Sequence, residues 1–388
     1  MNILFYTFLL ALIFILAFVL KDRNTFVTIV CSILIIQIIL SPKVCMDGAI
    51  SGAILFFYKV FPSLFSFLIV SNVIIRCNGI SIYSKLFGNI LCFPLRLPKS
   101  CSFAIVISIL CGYPLGAKYA CDLYENGSIS IDELQRLLNI ASNSSPLFIL
   151  GSVGISMFKS SQIGYLLLLS NLISCMIMGF ILPAKQNYKH SSKMVMETKS
   201  SDNIGSIFKN SIESSIKTCL SIGGFVTVFS VVNNIFENNL IFNLITKKLS
   251  SILGLSNDII TGTILGIIEM TNGCNLISNS QADIYMKIIL VSFLFTFSGF
   301  SIISQVYSFT YKFKVSMKKY IFRKAIHGII CSLISIVLFK IYERYTSMEM
   351  FSYNLNPSTY KGSFFISIIL FLILPIILFK FKRSFHIS

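Results

Sequence analysis

The chain has 388 residues, 55% of them hydrophobic and only 12% charged, with a mean hydropathy of +0.82. That balance excludes a soluble globular domain and describes an all-α, polytopic membrane protein. The net charge of +17 sits mostly in loops, where it follows the positive-inside rule and contact with anionic lipid rather than nucleic acid.

In chain order, residues 3–20 and 25–41 carry no charge, and each fits a spanning helix of about 20 residues. No basic residue precedes the first, and a second span follows almost at once, which argues against a cleaved signal. With Lys21 and Arg23 inside, the N-terminus falls outside. Arg76, Lys85, Arg96 and Lys99 also belong inside. The apolar stretch 100–118 is interrupted by Gly112, Pro114 and Gly116 before it can cross, so it is expected to re-enter on the side it left. Residues 118–136 are polar and cytoplasmic. The windows 137–158 and 162–182 then read as two spans, the first with Asn143-Ser144-Ser145-Pro146 near its middle.

Lys185, Lys189, Lys193 and Lys199 mark the long polar loop 184–205 as cytoplasmic. After it the parts return in the same order. An apolar helix over 217–236 is followed by a glycine-broken segment at 259–274, with Gly262, Gly266 and Gly273. A span follows whose middle carries Ser298 to Gln305, then a helix over 325–341. Lys312, Lys314, Lys318, Lys319, Arg323 and Lys324 form a second cytoplasmic cluster. Lys380, Lys382 and Arg383 form a third after the last span, 362–379. By this charge count the first unit begins outside and the second inside. The two are inverted-topology repeats, each with a broken, re-entrant helical segment. Lys247 and Lys248 fall on the outer side, against the rule. The expected organisation is two N-terminal transmembrane helices (1–47), a first repeat (48–183), the loop (184–205), a second repeat (206–342), and a final loop, helix and basic tail (343–388).

Four clusters carry possible chemistry. Gly112, Tyr113, Pro114, Gly116 and Lys118 free backbone groups near membrane depth and add a positive charge. The competing reading is a kink with close Gly-xxx-Gly packing and a snorkelling lysine. Asn143, Ser144 and Ser145 place neutral donors beside Pro146; interhelical hydrogen bonding competes there. Glu269, followed by Thr271 and Asn272, is an intramembrane carboxylate. It can carry a coupling proton or cation, or serve as the partner of a buried base. Ser301 and Gln305 stand in the second repeat where the Asn143 cluster stands in the first. Enzyme motifs are missing, and three histidines (His190, His327, His386) at unpaired positions give no metal site. No cofactor is expected. The 11 cysteines, without a CxxC pair, read as small packing residues.

At residues 111–118, 143–149, 269–273 and 298–305 the chain resembles the nucleoside-recognition (Gate) domain family, specifically sporulation integral membrane proteins of the YlbJ type. Such proteins are similar to concentrative nucleoside transporters. The resemblance implies movement of dipicolinic acid from mother cell toward forespore, across the outer forespore membrane. A small planar dianion suits Lys118, the Gly112–Gly116 backbone and the Asn143 cluster, which leaves Glu269 for ion coupling. The expected partners are a small anionic substrate and the lipid bilayer, with a coupling proton or sodium ion and a homo-oligomer left open. A nucleoside or other small-solute transporter, or a non-transporting component of a sporulation complex, are the alternatives.

Overall fold

The computed structural model describes residues 23–183 and 203–352, and these are helical, with no strand among them. The expected spans at 3–20 and 362–379, the basic tail and most of the 184–205 loop lie outside the described residues.

Helix α1 (Arg23–Leu40) meets α2 (Pro42–Leu55) at a bend of 108°. Pro42 opens α2 at a position where its missing N–H costs nothing. A π-type turn joins α2 to α3 (Phe61–Arg76), and α3 bends by 94° into α4 (Gly79–Phe87). The broken segment follows as α5 (Ser102–Cys111) and α6 (Leu115–Glu125), then α7 (Ile131–Ile140). Ser130 and Glu133 cap α7 reciprocally, side chain to backbone at both positions. Helix α8 (Leu147–Met157) is wound with π-type turns, and α9 (Ser161–Ile181) closes the first unit.

The second unit is α10 (Ile204–Glu237), α11 (Leu240–Leu253), the broken pair α12 (Asn257–Ile268) and α13 (Met270–Asn279), then α14 (Ile284–Phe297), α15 (Gly299–Thr310) and α16 (Met317–Ser352). Element by element it repeats α3 to α9. The contacts repeat in exchanged form: α15 packs on α6 while α8 packs on α13, and α3 packs on α10 while α9 packs on α16.

Four described helices are long and apolar enough to cross a membrane: 161–181, 204–237, 284–310 with its break, and 317–344. The two bent pairs bring the number to six if each is one span. The protein is an integral membrane protein whose outward faces carry Ile39, Leu220, Leu240 and Phe322.

The helix break expected at Pro146 is present, and residues 137–158 are not one continuous helix. The helix stops at Ile140, residues 142–145 have no regular secondary structure, and winding resumes at Pro146 and Leu147. Pro146 disfavours helix at the residue before it, and Asn143, Ser144 and Ser145 compete for backbone groups. Within the basic cluster at 312–324, Lys324 is fully buried.

Candidate functional site

The first break turns at Gly112, whose φ of +80° and ψ of −167° suit only a residue without a side chain. A Cβ there would also meet Ser145 N at 2.6 Å. Tyr113 N donates to Asn143 O at 2.7 Å, so the first break is stitched to the second at 142–145. Gly116, the first-turn residue of α6, lies so close to Ala141 O that any side chain would collide with it. The Gly112 and Gly116 pair therefore does the packing that the competing sequence reading assigned to it, and that packing is what brings the two breaks together.

The Tyr113 side chain extends the stitch into the second unit. Its hydroxyl lies 2.5 Å from Ser144 Oγ, 2.6 Å from Met270 Sδ and 3.1 Å from Phe295 O. Ser144 Oγ also donates to Phe295 O at 3.4 Å. A break in the α14–α15 span at Ser298 and Gly299, with φ of 75° and 68°, sets Gly299 against the carbonyls that end α12. Its Cβ would stand 3.0 Å from Gly266 O and 3.2 Å from Ile267 O. Three of the four sequence clusters thus meet at Tyr113, and the fourth packs through Gly299 on the end of α12.

Within this centre the residues divide by access. Asn143, Ser144, Ser301 and Gln305 are buried; Tyr113, Ser145, Thr271 and Asn272 keep accessible surface. Asn143 donates to Ser108 Oγ, Ile140 O and Cys175 Sγ, while its Oδ1 has no partner among the described residues. Both amide atoms of Gln305 are buried and unpartnered there as well. Ser145 Oγ accepts from Phe148 N and caps α8.

Glu269 is the residue between α12 and α13. Its extended backbone breaks the helix, and its two carboxylate oxygens accept from Thr271 N at 3.1 Å and Asn272 N at 3.0 Å. It is buried, and no base lies within ion-pair distance among the described residues. The nearby glycines are not the break itself. Gly273 faces Gly266 and Gly262 across the pair and lets α12 and α13 touch backbone to backbone.

Lys118 lies one turn into α6. Its Nζ is 3.0 Å from Asp122 Oδ2 and 4.5 Å from the centre of the Tyr119 ring. The buried cation nearest the centre is instead Lys324 on α16, whose Nζ donates to Ser142 O at 2.8 Å. Around it Tyr320 OH is 2.7 Å from Ser142 Oγ, Asn139 Nδ2 donates to Tyr320 O, and His327 Nε2 is 3.1 Å from Ser174 Oγ. Composition hid this group inside a basic run. Helical spacing reveals it: Tyr320, Lys324, His327 and Cys331 recur on one buried stripe of α16, whereas Phe322 is exposed.

No protein-family model matches the chain. It is 24% identical over 324 residues to the sporulation integral membrane protein YlbJ of Bacillus subtilis (strain 168), covering 78% of this chain and 79% of that one. Among solved structures it is similar to CNTnw in an inward-facing substrate-bound state, at 13% identity and a TM-score of 0.44, over 85% of this chain and 90% of that one. An asparagine-to-leucine variant of CNTnw in its intermediate 1 state gives 14% identity and a TM-score of 0.43, over 78% and 86%. The resemblance to YlbJ-type sporulation integral membrane proteins, first seen in four short motifs, thus extends over more than three quarters of the chain.

Proposed function

We propose that the protein is a secondary transporter of a small organic anion, built from two repeats of opposite membrane orientation. One observation carries the reading: three interruptions of apolar helices, at 112–114, 142–145 and 269, meet at Tyr113, and a fourth, at 298–299, packs on the end of α12. Non-helical backbone at membrane depth is tolerated where protein buries it or a cavity reaches it, and paired broken helices mark carrier sites. A scaffold has no need of interrupted helices gathered at one point.

The charge of the substrate follows from the groups available. Leu115, Gly116 and Ala117 begin α6, and their N–H groups find no acceptor among the described residues. These donors, with the Ser144 and Ser145 hydroxyls beside them, favour a negative group. Tyr113, Ser145, Thr271 and Asn272 are the accessible contacts, and Glu269 is the coupling residue. Dipicolinate, moved toward the forespore, is the substrate that the resemblance to sporulation proteins puts first.

The test is uptake of dipicolinate by proteoliposomes holding only this protein, with and without a proton or sodium gradient. Saturable uptake that an imposed gradient drives is expected. Uptake equal to that of empty liposomes removes dipicolinate. Saturable uptake of uridine, insensitive to dipicolinate, replaces the anion by a nucleoside.

A further inference from the structure

Lys324 is fully buried in a membrane protein, and among the described residues no carboxylate lies within ion-pair distance of it. A charged side chain so placed is costly unless something takes its charge. Its position shows what does. Helix α7 ends at Ile140, and the first carbonyls beyond that end are unwound from any helix. The C-terminal end of a helix carries partial negative charge, and Lys324 Nζ donates to Ser142 O just past it, at 2.8 Å. Two further buried acceptors, Asn139 Oδ1 and Asn143 Oδ1, border the same break with no partner among the described residues. The titratable neighbours are the Cys175 and Cys331 thiols and the His327 imidazole, and none of them brings a carboxylate. Freed carbonyls and half-helix C-terminal ends at membrane depth are where secondary carriers bind monovalent cations.

We propose that Lys324 is a tethered cation. Its ammonium fills, from within the chain, the carbonyl-lined place at the α7 break that would otherwise take a monovalent cation from solution. The inference rests on the transport reading for its meaning: the first unit needs no dissolved cation at this point, so any coupling ion acts at Glu269. Glu269 and Lys324 are then counterparts. One carboxylate answers the positive end of α13, and one ammonium answers the negative end of α7.

Thermal unfolding of the purified full-length protein tests the site apart from transport. Wild type, Lys324→Ala and Lys324→Met are compared in sodium, methylammonium and choline chloride at equal concentration. Wild type should unfold at one temperature in all three salts. Lys324→Ala should unfold several degrees lower in choline and regain most of the loss, saturably, in sodium or methylammonium. Lys324→Met keeps the stem and lacks the charge, so it should be less stable than wild type and indifferent to the salt. The proposal is overturned if sodium and methylammonium stabilise the Ala variant no more than choline does. It is also overturned, should the Ala variant fail to fold, if Lys324→Met matches wild type in stability. Failure of wild-type dipicolinate flux counts against the transport reading and leaves these outcomes unchanged.

Discussion

The two broken pairs, α5/α6 and α12/α13, occupy equivalent places in the repeat and differ in how the helix N-terminus at each break is capped. At α13 the chain supplies its own anion: Glu269 caps the first turn and takes the N–H groups of Thr271 and Asn272. At α6 the preceding residue is Pro114, which offers no capping side chain, and the N–H groups of the buried Leu115, Gly116 and Ala117 have no acceptor among the described residues. The same backbone device therefore yields one satisfied end and one receptive end. Helix packing fixes the geometry of each pair, while a single capping residue fixes the charge at its break. Packing is similar at both: Gly116 against Ala141 O, and Gly273 against Gly266.

The comparison assumes that the pairs open to opposite sides, and that is an all-or-none matter. Single cysteines at Gly127, beyond α6, and Gln281, beyond α13, sit at the open ends of the two pairs. In a background freed of the exposed Cys31 and Cys77, an impermeant thiol reagent should label one from each face of the membrane. Labelling of both from one face would end the inverted relation and with it the equivalence of the pairs.

Packing equivalence predicts equal damage. Gly116→Leu and Gly273→Leu each force a side chain onto backbone that cannot yield. Each should cost about 3 kcal/mol or more and remove most folded protein from the membrane, read as detergent-extracted monodisperse material. Gly224 has open space around it, and Gly224→Leu should leave the yield near wild type. A well-folded Gly116→Leu protein would mean that the first pair is not clamped.

Charge difference predicts unequal damage. Glu269→Ala strips two part-buried N–H groups of their acceptor and should destabilise by about 1–2 kcal/mol, seen as a lower Tm. Glu269→Gln keeps one capping oxygen and should recover much of that loss. It cannot change charge, so gradient-driven uptake should lose its dependence on the coupling ion while substrate still binds. A Gln variant with normal gradient dependence leaves Glu269 as a helix cap alone. At the receptive end the effects are smaller. Ser145→Ala removes an accessible hydroxyl, and a neutral hydrogen bond of about 0.5–1.5 kcal/mol amounts to roughly a 2- to 10-fold weaker affinity. Ser301→Ala, at a buried hydroxyl, should leave affinity unchanged.

Much of this was legible in the sequence because glycine, proline and polar residues inside apolar runs have few physical explanations. Gly112 and Pro114 mark their break to the residue. At 137–158 hydropathy suggested a span, and Pro146 with the three polar residues before it marked where the helix breaks. The break at Glu269 was read from glycines that prove to be packing residues, since hydropathy does not separate a glycine that bends a helix from one that admits a neighbour. Lys324 escaped for a different reason. Charge counting treats a basic run as one object, whereas an α-helix sends residues 323 and 324 in directions about 100° apart. Only the buried stripe through Tyr320, His327 and Cys331 separates it from the solvated lysines around it.

Lys118 supplies the smallest and sharpest distinction. From sequence it is the positive charge of the anion site; in the structure its ammonium already faces Asp122 at 3.0 Å, four residues along the same helix. A partly exposed pair of this kind contributes about 0.3–0.5 kcal/mol, so Lys118→Gln should shift the Tm by no more than about a degree or two. For binding the two roles diverge. A lysine that touches the substrate makes a charge-assisted bond of about 1.5–3 kcal/mol, and its loss would weaken affinity roughly 10- to 150-fold. A lysine committed to Asp122 acts only through the local potential, and its loss would cost about 2-fold, fading as salt is raised. The open N–H groups of α6 and the buried Lys324 favour the second outcome. Dipicolinate affinity of Lys118→Gln and of the Lys118→Gln/Asp122→Asn pair, each at low and high salt, decides it. If the single variant alone loses more than about 10-fold at high salt, Lys118 returns to the substrate contacts and the receptive end of the first pair is a charged one.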